Sequence, residues 1–474
     1  MQKAVTSKRD LQEVLDVGRL ESCYECGICT ASCPTAEMLS GHYNPRGLLA
    51  KICIDPETAL TSEELWFCAW CYRCYKRCPQ ALDLPEIFLS ARSTAIQKGI
   101  TKPLEKALWK IVESIPLPLV TSLVCFHPER TGLSTDTVLK KVEQIQKDLL
   151  RGQKDHKARK GTEKKAVIVG SGPAGLTVAH ELGLKGYDVT VYEALPETGG
   201  MLRKCIPEHR LPERVLDKEI ETLKAVGIKI QTNVAIGTDV DFNDLWKKGA
   251  RAIFIGVGAH GNRELEIEGR DLKGVSQALD FLWDARSGRE MTAGKNVLVV
   301  GGGNVALDAA RTARALGARD VTVLYRRSRN EMPANPWEIK EAESEGVKFE
   351  FMVAPTRILG EKGRVSAIEC VRMQLGQLDE TGRRKPIPIE GTASKREADR
   401  IILAIGERPN LGFLPKEIKL NEDGTIWVDP FTLQTSKQGV FAGGDAVTGP
   451  ATVIEAIQAG KHAAESIEKL ISGD

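Results

Sequence analysis

The sequence predicts a multidomain chain: an N-terminal α-helical, cysteine-rich domain followed by two Rossmann-like α/β dinucleotide-binding domains. Three observations carry that expectation. Eight of the twelve cysteines fall into two copies of one spacing, ending at Cys78. A strand, glycine loop and helix begin at Lys165, and the same unit recurs with its loop moved from Gly170 to Gly301. The 474 residues have room for about three domains.

The first cysteine run is Cys23, Cys26, Cys29, Cys33 and then Pro34; the second is Cys68, Cys71, Cys74, Cys78 and then Pro79. Each reads C-x2-C-x2-C-x3-C-P, the spacing that wraps thiolates around a [4Fe–4S] cube. Zinc sites compete with this reading, but zinc ribbons use separated C-x2-C pairs without the third cysteine and the C-P ending. A disulfide framework fits poorly in a long chain that shows no export signal. The runs therefore imply one-electron chemistry. In two-cluster ferredoxins the fourth cysteine of each run serves the other cluster. That rule groups Cys23, Cys26 and Cys29 with Cys78, and Cys68, Cys71 and Cys74 with Cys33. The residues between the runs exceed a minimal ferredoxin hairpin and include helix-like stretches at 45–54 and 62–67, so the two-cluster, ferredoxin-like domain is expected to be helical.

Composition narrows the remaining classes. Charged residues at 27% and a net charge of +2 give no support for nucleic-acid binding. The opening 20 residues lack an apolar core and read as an amphipathic helix, not a signal peptide. The stretch 111–126 is apolar but is interrupted by Glu113, Pro116 and Pro118 and is too short to span a bilayer. It reads as a docking surface or a buried connector. Thiolate-ligated clusters without an export signal point to the cytoplasm of an organism living with little oxygen. The basic run 151–165 reads as a solvated linker in preference to a nucleic-acid patch.

From Lys165 the pattern changes. Residues 166–169 form a short apolar strand, the loop Gly170, Ser171, Gly172, Pro173, Ala174, Gly175 follows, and a helix runs to about Lys185. The next strand, 187–192, ends at Glu193. Strand, loop, helix and acid together make a dinucleotide fingerprint: the glycines admit a pyrophosphate at a helix N-terminus and the carboxylate accepts from ribose hydroxyls. In the second unit residues 296–300 form the strand. Gly301, Gly302, Gly303, Asn304, Val305 and Ala306 form the loop, and 321–325 the next strand. Tyr325 stands where Glu193 stands in the first unit, and Arg326, Arg327 and Arg329 follow. A carboxylate repels a 2′-phosphate and guanidinium groups bind one, so this second site is expected to take NADP(H). Two further strands, at 400–405 and 439–445, and a helix at 451–469 complete the chain.

Residues 165–474 resemble the NADPH-oxidising subunit of bacterial glutamate synthase, the matching segment of dihydropyrimidine dehydrogenase, and the large subunit of NADH-dependent ferredoxin:NADP oxidoreductase. The resemblance rests on GSGPAGLTVAHEL, Glu193, GGMLRKCIPEHRLP, GVGAHGNRELEIEG, GGGNVALDAARTA, YRRSRNEMPA, AIGERPN and GVFAGGDAVTGPATVIEAIQAGK, in that order. The cysteine segments CYECGICTASCP and CAWCYRCYKRCP instead resemble the C subunit of heterodisulfide reductase and the iron–sulfur subunits of fumarate reductase-like enzymes. The resemblance implies a two-dinucleotide flavoprotein fold. Its first fingerprint takes FAD, at Gly170, Gly172, Ala174, Gly175, Glu193, Gly200, Met201, Arg210, Gly258, Gly444, Asp445, Thr452 and Val453. It implies the order cluster domain 1–100, connector and linker 101–164, FAD part 165–285, NADP(H) part 286–404 and second FAD part 405–474.

Such flavoproteins often carry a redox disulfide, but Cys205 has no cysteine near it in sequence. Cys53, Cys125 and Cys370 read as small buried residues. None of the seven histidines has ligand spacing, and His209 and His260, in the flavin-neighbouring segments, are expected to be structural. Hydride transfer to a flavin needs no protein base. The expected function is an NADP(H)-dependent FAD and iron–sulfur electron-transfer subunit acting with a protein partner in a larger complex. A self-contained NADPH oxidoreductase reducing ferredoxin or a quinone, a bifurcating transhydrogenase subunit, and a structural docking module are the alternatives.

Overall fold

The structure, a computed structural model, describes residues 23–152, 164–208, 210–287, 292–379 and 382–473. The expected N-terminal amphipathic helix, most of the basic stretch read as a linker, and His209 lie outside them. The chain divides into two compact units: Met1–Gly200, Arg210–Gly258 and Leu411–Asp474 form one, and Met201–His209 with Ala259–Asn410 form the other.

In the first unit the cysteine segment is helical. Helices span Pro45–Ile54, Pro56–Leu60 and Leu84–Gln97. Each starts with proline at its first or second position behind a side-chain cap: Asn44 accepts from Gly47 N, Asp55 from Thr58 N and Asp83 from Glu86 N. These caps satisfy amides that have no intrahelical partner. The 62–67 stretch forms a short 3-10 helix, Glu63–Trp66. Leu48, Leu49, Ile52, Leu60, Leu65, Phe67, Ile87 and Phe88 are buried between them. Burying each such side chain contributes roughly 1.5–3 kcal/mol.

Three connector helices follow, Lys102–Ser114, Pro118–Val124 and Thr135–Gly152. All seven residues of the middle one are buried, so the apolar stretch is a buried connector. Its first turn is held by Glu219 from helix Glu213–Ala225: Oε2 accepts from Leu119 N at 2.7 Å and Val120 N at 3.2 Å, and Oε1 accepts from Gln146 Nε2 at 3.0 Å.

The flavin-type sheet contains β1 (Lys165–Val169), β2 (Asp188–Tyr192), β3 (Lys229–Gln231) and β4 (Ala252–Ile255). A late strand, β16 (Val440–Ala442), completes it in the order β16-β4-β1-β2-β3, all parallel. β1 and β4 are nearly continuous apolar runs and β2 is buried from Val189 to Tyr192, as strands covered on both faces require.

The second unit repeats the plan. Gly261–Asn262 (β5) pairs with Glu407–Arg408 (β15), beside a five-stranded parallel sheet. That sheet contains β6 (Val275–Gln277), β7 (Asn296–Val300), β8 (Asp320–Tyr325), β9 (Lys348–Phe351) and β14 (Arg400–Leu403), in the order β6-β14-β7-β8-β9. An antiparallel insertion, which no sequence motif announced, fills the gap before β14. It comprises β10 (Val353–Glu361), β11 (Arg364–Leu378), β12 (Arg384–Pro388) and β13 (Ser394–Glu397). The second unit begins at 259 and ends at 410, in keeping with the pairing of β5 with β15 and of β6 along β14.

Candidate functional site

The two cysteine runs bend alike. In each, the residues flanking the second cysteine have positive φ: Glu25 (51°) and Gly27 (78°) around Cys26, Trp70 (48°) and Tyr72 (60°) around Cys71. Bulky residues rarely take this conformation, and surrounding contacts must hold them there. Tyr72 Oη donates to Glu86 at 2.5 Å, and Trp70 lies edge-on to His127 with the Arg130 guanidinium 4.5 Å from its ring. A short helix, Ile28–Ala31 or Arg73–Arg77, then carries the chain from the bend to the fourth cysteine.

The fourth cysteines are placed crosswise. A partly open pocket is lined by Cys23, Cys26, Cys29 and, from the other run, Cys78. Cys26 is exposed. Cys33 stands instead with the second run. Burial, joined by the charge of Cys68, pushes the Cys33 thiol up to about 12. Burial also pushes up Cys71 and Cys74, and each feels Cys33 and Cys68 as well. Crowded buried thiols resist ionisation unless a cationic body sits among them. A soft, all-thiolate donor set of this kind fits an iron–sulfur cluster.

Two neighbours of the second quartet had no sequence signal. Arg92 is 3% exposed; Nε donates to Leu65 O at 2.8 Å and Nη2 to Cys68 O at 2.7 Å, and its charge faces Cys68 and Tyr43. A buried cation bonded to carbonyls suits a site that carries negative charge. Arg73, between Cys71 and Cys74, donates from Nη1 to Glu455 at 2.8 Å, in the C-terminal helix Val453–Ser472.

At the first fingerprint the three glycines have separate tasks. A Cβ on Gly170 (φ 100°) would meet Gly256 O at 2.5 Å, and one on Gly175 would meet Gly170 O at 2.1 Å. Around Gly172 the nearest atom lies 3.9 Å away, which leaves the space a pyrophosphate needs at the N-terminus of helix Pro173–Leu184. Ala174 is buried in that first turn. Glu193 ends β2 beside the loop: Oε2 accepts from Ser171 N and Oε1 from Leu195 N, both at 2.9 Å. The C-terminal segment returns to the same sheet edge. A Cβ on Gly444 would lie 3.1 Å from Ala174 Cβ, Asp445 Oδ1 accepts from Ala451 N at 3.1 Å, and Thr452 caps the helix that starts at Val453. Gly258 (φ 65°) lies past the end of β4, and Arg210 lies within electrostatic reach of Cys125 and His127. Gly200 closes this unit, whereas Met201 opens a helix of the other, Met201–Lys204.

The second fingerprint has the same division. A Cβ on Gly301 would meet Ala404 O at 2.1 Å, while Gly303, at the start of helix Asn304–Ala315, has nothing within 4 Å. Val305 and the fully buried Ala306 lie in that helix's first turn. Asn304 Oδ1 accepts from Asn335 N at 3.0 Å. The Tyr325 ring occupies the place of an acid, and a Cβ on Gly302 would lie 2.5 Å from it. The three arginines are not equivalent. Arg327 is buried, donating from Nη2 to Asp379 Oδ2 and from Nε to Arg384 O, each at 2.7 Å. Arg329 is held by Glu343 through both guanidinium nitrogens. Arg326 is exposed and has the charges of Arg327 and Arg383 beside it. Arg383 lies at the turn from β11 into β12, and sequence reasoning passed over it because the insertion had no recognised pattern.

All cysteines of the described residues are free. Cys205 Sγ lies 3.3 Å from Met201 Sδ. Cys125 and Cys370 are buried as expected, but Cys53 is exposed, because Leu48, Leu49 and Ile52 take the inner face of its helix. No helix among the described residues is long and apolar enough to cross a membrane.

Fold and site together define a pyridine-nucleotide flavoprotein with an iron–sulfur segment at its N-terminal end. Residues 164–460 match pyridine nucleotide-disulphide oxidoreductase, and residues 19–82 match the 4Fe-4S dicluster domain. The chain belongs to the pyridine nucleotide-disulphide oxidoreductase family. It is 40% identical to the NADP(+)-dependent formate dehydrogenase subunit beta of Moorella thermoacetica, across 84% of this chain and 60% of that one. It is 38% identical to the NADPH-Fe(3+) oxidoreductase subunit beta of Geobacter sulfurreducens, across 84% and 63%. It is 37% identical to the glutamate synthase (NADPH) small chain of Escherichia coli, across 65% and 69%. The chain thus spans about three fifths of the first two relatives. Among solved structures, FprA from Mycobacterium tuberculosis shares the fold at TM-score 0.57 and 20% identity, over 65% of this chain and 85% of that one. Thioredoxin reductase from T. acidophilum shares it at 0.52 and 21%, over 66% and 100%.

Proposed function

We propose that this chain is the NADP(H)-dependent, FAD- and iron–sulfur-containing electron-transfer subunit of a multi-subunit redox enzyme. The observation that carries the reading is the crosswise grouping of eight cysteines, with one group adjoining the flavin-type segment and the other opening outward. When bound, the nucleotides and clusters supply hydride exchange at the flavin and one-electron transfer beyond it.

The chain's own residues divide that work. Gly172 leaves room for the FAD pyrophosphate and Glu193 offers its carboxylate to the ribose. Gly303 and the first turn from Asn304 to Ala306 receive the NADP(H) pyrophosphate, and Arg326, with Arg383 beside it, takes the 2′-phosphate. Arg327 holds the loop through Asp379. Cys33, Cys68, Cys71 and Cys74 would hold the cluster next to the flavin-type segment, because Arg73 of that run bonds Glu455 of the C-terminal helix. Cys23, Cys26, Cys29 and Cys78 would hold the outlet cluster, since Cys26 is exposed. The relatives named as beta subunits support a protein partner as donor or acceptor.

Anaerobic purification of the native protein tests the reading. Eight irons, eight acid-labile sulfides and one FAD per chain are expected, together with partner subunits. A lone chain that reduces ferredoxin or a quinone with NADPH would favour the self-contained oxidoreductase instead.

A further inference from the structure

Glu455 is the third residue of the C-terminal helix, and its two carboxylate oxygens face different partners. Oε2 accepts from Thr452 N at 3.1 Å and Thr452 Oγ1 at 2.7 Å, closing a capping box. Oε1 accepts from Arg73 Nη1 at 2.8 Å. The pair is partly buried, the two side chains being 29% and 22% exposed. Two more bonds leave the same side of the helix: Gln458 Nε2 donates to Glu37, and Lys461 Nζ donates to Ser114 O at 2.6 Å. The other side is pressed on helix Pro173–Leu184, where a Cβ on Gly460 would meet Ala174 O at 2.5 Å. One rigid helix thus joins the flavin-type fingerprint to the cysteine module, and Glu455 is its contact with the second cysteine run. Glu455 also lies within electrostatic reach of Cys71.

We propose that Glu455 and Arg73 are positioning residues that set the reduction potential of the cluster held by Cys33, Cys68, Cys71 and Cys74, one as a fixed anion and the other as a fixed cation. The inference rests on the reading that this quartet holds a cluster. Reduction adds one negative charge to the cluster, so a nearby anion opposes it and a nearby cation favours it. Neutralising Glu455 raises the potential, and neutralising Arg73 lowers it. Both changes remove the same ion pair. A purely structural pair would therefore give shifts of the same sign, whereas a charge effect gives opposite signs.

The test is a potentiometric titration of the anaerobic, full-length holoprotein followed by electron paramagnetic resonance. Wild type, Glu455→Gln, Arg73→Gln and the double variant are compared. The expected result is that one cluster signal, the one perturbed by Cys71→Ser, moves up in Glu455→Gln and down in Arg73→Gln. It returns close to the wild-type value in the double variant, and the other signal stays in place. Shifts of equal sign, no shift, or a shift confined to the other cluster overturn the proposal. If Glu455→Gln loses the cluster with its helix cap, Arg73→Lys and Arg73→Gln decide. The lysine variant then keeps the wild-type potential and the glutamine variant lowers it, and equal potentials overturn the proposal. A wild-type protein with fewer than two cluster signals overturns the reading of the quartets and the proposal with it. Two signals with unmoved potentials overturn the proposal alone.

Discussion

Arg327 Nη2 meets Asp379 Oδ2 at 2.7 Å, 52 residues further along the chain, and Arg327 is buried in this ion pair. Arg326, its neighbour in sequence, stays exposed. Adjacent residues point to opposite sides of a strand end, so identical side chains acquire different tasks.

Arg326→Gln is expected to weaken NADPH by about tenfold or more, since a hydrogen bond to a charged group contributes roughly 1.5–3 kcal/mol. NADH, which lacks the phosphate, should bind as before. Dye reduction with each nucleotide measures both. Arg327→Gln should behave differently: it leaves Asp379 without its buried partner, at a cost of roughly 3–5 kcal/mol. Its thermal midpoint should fall and both nucleotides should suffer alike. A selective NADPH loss in Arg327→Gln with unchanged stability would return the clamp to Arg327.

Cys78→Ser should damage the cluster of the first run and spare that of the second, because Cys78 lines the cavity of Cys23, Cys26 and Cys29. Cys33→Ser should do the reverse. Spectroscopy of each variant decides. Damage confined to the cluster of the mutated run would replace crossed ligation with ligation by consecutive cysteines.

Gly172→Ala and Gly175→Ala separate cofactor binding from folding. Gly172 has open space around it and an ordinary φ of −70°, so alanine is accepted by the protein but fills the pyrophosphate's place. Flavin content should fall while the flavin-free protein unfolds at the wild-type temperature. An added Cβ at Gly175 would stand 2.1 Å from Gly170 O, so that variant should be destabilised with or without flavin. Full flavin content in Gly172→Ala would move the FAD site elsewhere.

Glu219 gives a pH dependence of known sign. Burial raises its proton affinity, and the bonds from Val120, Gln146 and Leu119 offset this only in part. Its folded-state value thus lies above the ordinary 4.5. Protonation favours the fold below the ordinary value, and that contribution is lost as pH rises through the raised one. Glu219→Gln keeps the shape and one acceptor oxygen for the Leu119 and Val120 amides, but cannot ionise. Its stability relative to wild type should therefore climb between about pH 4.5 and the raised value, then level off. Glu219→Ala leaves two buried amides unpaired and should cost about 1–3 kcal/mol. Denaturant unfolding at several pH values measures both. A constant difference between Glu219→Gln and wild type would mean that folding leaves the proton affinity of Glu219 unchanged.

Much of the molecule was legible from local chemistry. Strand 296–300 and helix 45–54 were readable to the residue because apolar period, caps and prolines act within a few positions. Both glycine loops and both cysteine runs were readable because a close backbone approach or a bent thiolate loop leaves few residue choices. The resemblance to two-dinucleotide flavoproteins implied that residues 439–445 belong with the first fingerprint, and β16 pairs with β4 there. What sequence alone determined, then, is everything governed by spacing: cysteine periodicity, the fingerprints, and the contrast between Glu193 and Tyr325. What only tertiary structure decided is which charges are spent on the protein itself. Arg327 on Asp379, Arg73 on Glu455, Arg92 under Cys68 and Glu219 beneath the connector join residues distant in the chain. No local pattern encodes such pairings, because the energy of a buried charge depends on its three-dimensional surroundings and not on its neighbours in sequence.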